Sequence, residues 1–204
     1  DGLDNILSIF LPEIVGITGV TCEANTMLQI ASKIKTHCQA IVVAGGIHAS
    51  NDPLFFNQES LDYIVMGLGK KVLSDLVSAV EAGNEKTLSI PGLIKTAPGK
   101  EIKIIPHCNS ELDLVENKPP AYDLVSHYRS HYILEKLAVN MGFVASAYGC
   151  PHRCSFCCIK DQTGGKYLTK SVDSVIRDIG LLKDIPVIRL VDANTFGDIK
   201  RAKA

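Results

Sequence analysis

The chain has 204 residues, 46% of them hydrophobic and 21% charged, with 21 Lys and Arg against 22 Asp and Glu for a formal net charge of -1. A chain of this length and hydrophobicity buries about 70% of its unfolded surface, which excludes intrinsic disorder, and its balanced charge excludes a strongly basic nucleic-acid-binding face at whole-chain level. No apolar run approaches the about 18 residues that a membrane span needs, and no basic-then-apolar leader opens the sequence. The sequence begins at Asp1 without a methionine, its first dozen residues read as the end of a helix, and it is expected to be a fragment.

The first half alternates strands and helices. Glu13 to Val20 is short, apolar and β-branched, as a buried parallel strand requires. Thr26 to Lys35 places Met27, Leu28, Ile30, Ala31 and Ile34 at helical spacing. Ala40 to Ala44 predicts a second strand, closed by Gly45-Gly46, and Leu61 to Met66 a third, closed by Gly67-Leu68-Gly69. Val72 to Ala82 predicts a helix that stops at Gly83. Strand, glycine-rich loop and helix in repetition predict a doubly wound parallel sheet, whose ligands bind at the carboxyl ends of the strands.

The pattern changes from about residue 84. Leu93 to Thr96 and Glu101 to Ile105 flank Pro98-Gly99 and predict a hairpin, and Tyr122 to Leu137 predicts an amphipathic helix. A second α/β unit starts near Met141. Gly142 to Tyr148 is its first strand, Ser171 to Leu182 a helix capped by Ser171, and Val187 to Val191 a second buried strand. One β-α-β unit does not cover its own sheet, so this unit is expected either to dock on the first domain or to lack the rest of its own domain.

Seven cysteines are present, and four of them, Cys150, Cys154, Cys157 and Cys158, fall within nine residues directly after a strand. A tight cluster in a chain without secretory features indicates metal or redox chemistry rather than a disulfide framework. The spacing C-x3-C-x2-C lets three thiolates converge on one centre. A structural zinc site would add Cys158 or His152 as its fourth ligand. An iron–sulfur cube held by three cysteines instead keeps one iron without a protein ligand. Cys158 is expected to pack in the core, because adjacent residues point different ways, and Arg153 and Lys166 are expected at the solvated surface.

Cys150-Pro-His-Arg-Cys154-Ser-Phe156-Cys157 resembles the cysteine motif of radical S-adenosylmethionine (SAM) enzymes. The resemblance implies that Cys150, Cys154 and Cys157 hold a [4Fe-4S] cluster and that the open iron chelates SAM. One-electron reduction then cleaves SAM to methionine and a 5′-deoxyadenosyl radical. It further implies that Phe156 lies near the adenine and that Asp192 and Asn194, after the second strand, contact SAM where the family usually carries Gly-Gly-Glu. Gly164-Gly165-Lys166-Tyr167 is similar to the subgroup that carries a cobalamin domain.

The first domain resembles cobalamin-binding domains of flavodoxin-like fold. Thr18 and Val20 stand where those domains have Ser-x-Leu, and Gly45-Gly46 matches their Gly-Gly element. The resemblance implies that Thr18 bonds the dimethylbenzimidazole of the nucleotide tail and that Gly45 and Gly46 leave it room. It also places His48 in a loop against the tail and Gly67 at the third loop. Leu68, Lys70 and Lys71 replace the acidic residues usual after Gly67.

The expected organisation is a cobalamin-binding-like domain over 1–83, N-terminally truncated, and a linker with hairpin and helix over 84–140. The start of a truncated radical SAM (β/α) barrel then spans 141–204. The expected function is radical SAM chemistry, with cobalamin as second cofactor and methyl transfer, ring formation or another rearrangement of a small-molecule substrate as the reaction. A flavodoxin- or ferredoxin-type electron donor would serve it in the cytoplasm, with no nucleic acid and no membrane span, and the fragment alone is expected to be weakly active at best. The rival readings are a non-enzymatic corrinoid-binding or receiver-like module with a structural zinc site, and a radical tRNA methylthiotransferase. The latter would bring three further grouped cysteines, and Cys22, Cys38 and Cys108 are dispersed.

Overall fold

The computed structural model describes residues 2–84, 89–105 and 107–203. The chain divides into two compact units, Asp1–Asn109 and Ser110–Ala204. The division between the units falls within the span 84–140. Leu93, Ile94 and Ile102 are buried in the first unit, while the Tyr122 hydroxyl donates to the Phe143 carbonyl at 2.8 Å in the second.

The first unit runs α1 (Gly2–Phe10), β1 (Ile14–Thr18), α2 (Ala24–His37), β2 (Ile41–Gly45), α3 (Ile47–Asn51), β3 (Tyr63–Val65), α4 (Gly69–Glu81) and β4 (Leu93–Lys95). The sheet order is β1-β2-β3-β4, with β1, β2 and β3 parallel and β4 antiparallel to β3. Side-chain alternation along the strands fills two separate cores. Val42, Ala44, Ile64 and Ile94 pack with Leu7, Met27, Ala31 and Ile34 on one face. Val43, Tyr63, Val65 and Leu93 pack with Val72 and Leu76 of α4 on the other. Both faces are therefore covered, which explains strands that read as continuous apolar runs.

The described strands follow one another in the order β1-β2-β3-β4, with helices packed on both faces of the sheet. One expectation is corrected. The hairpin over 93–105 does not form. Leu93–Lys95 pairs with β3, and residues 101–105 carry no strand. Leu93 and Ile94 are buried on opposite faces and gain more beside a central strand than at the tip of a hairpin, whereas of 101–105 only Ile102 is buried.

The second unit contains β5 (Ile133–Leu134), β6 (Val139–Val144), β7 (Ala147–Gly149), α5 (Ile159–Thr163), β8 (Tyr167–Thr169), α6 (Val172–Gly180), β9 (Val187–Leu190) and α7 (Ile199–Ala202). β6 lies between β9, to which it is parallel, and the short antiparallel β5. β7 and β8 form a separate antiparallel ribbon. The expected strand over 142–148 is broken in two at Ala145-Ser146, so the segment leading to the cysteines leaves the sheet of β6. The helix expected over 122–137 forms over Tyr122–His131 as a 3-10 helix that buries none of its residues. Ser171 does cap α6, its hydroxyl accepting the Ser174 N–H at 3.3 Å.

Candidate functional site

β7 delivers the chain to the cysteines through Gly149, which has φ +79°. A Cβ there would collide with the Lys166 carbonyl oxygen and lie 2.6 Å from Thr163 Oγ1, so only glycine lets the turn at 163–166 press against the strand. The following loop, 150–158, has no helix or strand. Cys150 and Cys157 are half-buried and Cys154 is exposed. Phe156 is 90% exposed. Cys158 is exposed rather than in the core as expected, because it caps α5, its carbonyl accepting the Asp161 N–H at 3.2 Å. His152, Arg153 and Lys166 are exposed.

Among the described residues, no three His, Cys, Asp or Glu side chains are grouped closely enough to hold a metal ion. The three thiols therefore do not stand in a preformed cage. What fits an iron–sulfur cluster is the donor set: three thiols within eight residues of one irregular, solvent-accessible loop, with soft sulfur ligands of the kind such clusters take.

The residues after β9 hold this region in place. Asp192 accepts the Ser146 N–H and hydroxyl, each at 2.6 Å, and the Ala147 N–H at 2.9 Å, which fixes the corner between β6 and β7. Asn194 points its side-chain nitrogen at Cys150 Sγ, 3.7 Å away. The Tyr167 hydroxyl donates to the Asn194 carbonyl at 2.9 Å. Arg201 reaches the same corner, donating to the carbonyls of Ser146 and Lys170. Sequence reasoning named Asp192 and Asn194 but missed Ser146, Tyr167 as an anchor, and Arg201. Single polar residues outside a motif give no signal before the fold brings them together.

A buried ion pair lies beneath. Lys170 and Asp178 are paired at 3% and 1% side-chain exposure, and Arg177 also binds Asp178. Burial alone would push the Asp178 carboxyl up, but the hydrogen bonds and charges of Lys170 and Arg177 outweigh it and hold it below the usual carboxylate value. Burial acts likewise on Glu116, where the hydroxyl and N–H of Ser171 bring the carboxyl down. Burial raises Tyr148, with the charges of Asp192 and Asp178 adding to it. An apolar pocket of about 190 Å³ between Tyr122, Arg129, Tyr132, Met141, Phe143 and Leu182 shares no residue with the cysteine loop.

In the first unit the expected cobalamin residues gather at the carboxyl edge of the sheet. Thr18 ends β1 and pairs in register with Gly45, which ends β2. Gly46 has φ +97°, and a Cβ there would lie 2.7 Å from Thr18 Oγ1 and 2.9 Å from the Gly19 carbonyl oxygen. Its absent side chain thus serves the close approach of two loops of the protein itself. At Gly45 a Cβ would meet nothing nearer than 3.8 Å. Ser50 ties the second loop to the third: its hydroxyl bonds the Gly46 carbonyl and accepts the Gly67 N–H, both at 2.9 Å. His48 bonds Thr21 at 3.3 Å and sits edge-on to Phe55 and Phe56, with ring centroids 5.2 and 5.5 Å away. Val20 is 49% exposed.

No family model matches the chain. Over its whole length it superimposes on the radical S-adenosylmethionine methyltransferase TsrM of Kitasatospora setae with a TM-score of 0.81 at 22% identity, covering 42% of that protein. It superimposes over 95% of its length on the cobalamin-dependent S-adenosylmethionine radical enzyme OxsB, TM-score 0.69 at 21% identity, covering 27% of that protein. TsrM has been seen with cobalamin and a [4Fe-4S] cluster, and OxsB with aqua-cobalamin and S-adenosylmethionine. The class follows: the chain has the mixed α/β, parallel-sheet fold of the cobalamin-dependent radical SAM enzymes.

Two sequence relatives cover most of the chain. An uncharacterized methyltransferase of Pyrococcus horikoshii is 32% identical over 184 residues. The anaerobic magnesium-protoporphyrin IX monomethyl ester cyclase of Cereibacter sphaeroides is 33% identical over 156. The chain spans 38% and 24% of the lengths of these two relatives. Among the described residues no helix is long and apolar enough to cross a membrane.

Proposed function

We propose that the chain is the cofactor-binding part of a cobalamin-using radical SAM enzyme, whose whole protein carries out methyl transfer to, or rearrangement or ring closure of, a small-molecule substrate. The observation that carries this reading is the donor set Cys150, Cys154 and Cys157. The three thiols sit on one irregular loop, in a chain that superimposes on TsrM at a TM-score of 0.81. In this reading the first unit is a flavodoxin-like cobalamin domain and β6-α6-β9 is the opening of a (β/α) barrel.

A bound [4Fe-4S] cluster would supply an open iron for SAM and the electron that breaks its sulfonium carbon–sulfur bond. The residues of the chain do the holding. Cys150, Cys154 and Cys157 ligate. Phe156 offers an exposed ring face for stacking an adenine. Asp192 frames the site rather than entering it, because its carboxylate is taken up by Ser146 and Ala147. In the first unit Thr18, Val20, Gly45, Gly46, His48 and Gly67 form the cobalamin edge, with the tail passing against the bare backbone of Gly45. In this reading a flavodoxin- or ferredoxin-type donor supplies the electron.

Ligand binding tests the reading in two parts. The anaerobically reconstituted and reduced protein should change its electron paramagnetic resonance spectrum when SAM is added, and cobalamin should change its absorbance on titration with the protein. An iron-loaded protein whose spectrum ignores SAM would remove the radical reading. No change with cobalamin at tens of micromolar would remove that cofactor.

A further inference from the structure

Asn194 meets the cysteine loop through one atom. Its side-chain nitrogen lies 3.7 Å from Cys150 Sγ, within reach of an N–H···S hydrogen bond. The two ends of the amide are told apart by their partners. The oxygen Oδ1 accepts the Phe196 N–H at 3.1 Å, a role an NH2 group does not fill, so the donor end faces the sulfur. The backbone of the same residue is also held. Tyr167 donates to its carbonyl at 2.9 Å, and Gly197 admits the Tyr167 ring so closely that a Cβ there would lie 2.6 Å from it. A donor fixed at both ends of its residue and aimed at one thiol sulfur is more than a loop brace, because Phe196 and Tyr167 already brace the loop.

We infer that Asn194 is a positioning residue that acts through Cys150, donating a hydrogen bond to its thiolate sulfur and thereby raising the reduction potential of the iron–sulfur cluster this loop holds. The inference rests on the proposed reading that Cys150 is a cluster ligand. Reduction adds negative charge to the cluster, and part of that charge sits on the cysteine sulfurs. An N–H donor stabilises the reduced form more than the oxidised one, so hydrogen bonds to ligand sulfurs move the potential upward. This gives Asn194 a role distinct from the SAM contact that its sequence position suggested.

The test compares wild type, Asn194→Ala and Asn194→Asp after anaerobic reconstitution, reading iron per chain and the reduction potential by a dye-mediated titration. Asn194→Asp keeps the acceptor for Phe196, so the loop stays in place while the donor becomes an anion. The expected result is equal iron loading with a more negative potential in both variants, further in Asn194→Asp, where a carboxylate faces the sulfur. Equal potentials in three equally loaded proteins would overturn the inference and leave the functional reading intact. A wild-type protein that takes up no iron would overturn both.

Discussion

The carboxylate of Asp192 accepts both the backbone N–H and the hydroxyl of Ser146, each at 2.6 Å. With the Ala147 N–H as third donor, it fixes the corner at which the chain leaves β6 for the strand before the cysteines. Ser146 and Ala147 are buried, so water does not replace these bonds without cost. Asp192→Ala should therefore destabilise the second unit by about 3 kcal/mol, since hydrogen bonds to a charged group contribute about 1.5–3 kcal/mol and buried donors left unmet add their own penalty. Denaturant unfolding measures this. Asp192→Asn, which keeps a single good acceptor, should fall between the two.

The Lys170–Asp178 pair makes a prediction about acid. The folded-state value of Asp178 is depressed, so its ionisation contributes stability that is fully present above the unfolded carboxylate value of about 4. That contribution is lost as pH falls through the lower folded value. Removing one partner is harsher than acid. Lys170→Met leaves a carboxylate at 1% exposure with only Arg177, and should cost about 3–5 kcal/mol at neutral pH. The double variant Lys170→Met/Asp178→Leu should recover most of that loss in the same unfolding measurement.

How far the sequence alone reached depends on the range of the forces involved. β1, α2, β2, β3, α4, α6 and β9 all fall within the segments expected from periodicity, apart from a few end residues, because apolar spacing and glycine stops are local signals. The partner of Leu93–Lys95 was not legible, since strand pairing is decided by which neighbour buries both Leu93 and Ile94. The break of 142–148 was not legible either: it depends on Asp192, 46 residues from Ser146. In the site, the cysteine spacing was readable as a donor set. The bond from Asn194 to Cys150, 44 residues away, was not.

Two glycines near the cysteines separate steric need from conformational preference. Gly164 has φ +63° with open space around it, so Gly164→Ala should cost only about 1–2 kcal/mol of left-handed backbone strain. Gly149 has φ +79° and also meets the backbone at Lys166, so Gly149→Ala must displace the ribbon itself. It should destabilise the second unit by well over the strain alone, about 3 kcal/mol or more. Parallel thermal melts distinguish the pair.

The glycines of the first unit make the corresponding test of the cobalamin edge. Gly46→Ala meets Thr18 and Gly19 and should lower stability directly. Gly45→Ala has room, its Cβ reaching nothing nearer than Val65 at 3.8 Å, and should fold as the parent does. If the nucleotide tail passes against the backbone of Gly45, Gly45→Ala should weaken cobalamin binding about 10-fold or more, each 1.4 kcal/mol of clash being a factor of ten. An unchanged titration in a normally folded Gly45→Ala protein would remove Gly45 from the site.

The central claim is that three sulfurs, and only three, grip an inorganic core. It is tested most directly by counting metal in anaerobically reconstituted wild type, Cys150→Ala, Cys154→Ala, Cys157→Ala and Cys158→Ala. The account predicts about four irons per chain in wild type and in Cys158→Ala, and loss of the brown cluster absorbance in each of the other three. One zinc and no iron in wild type, or iron that depends on Cys158, would contradict it.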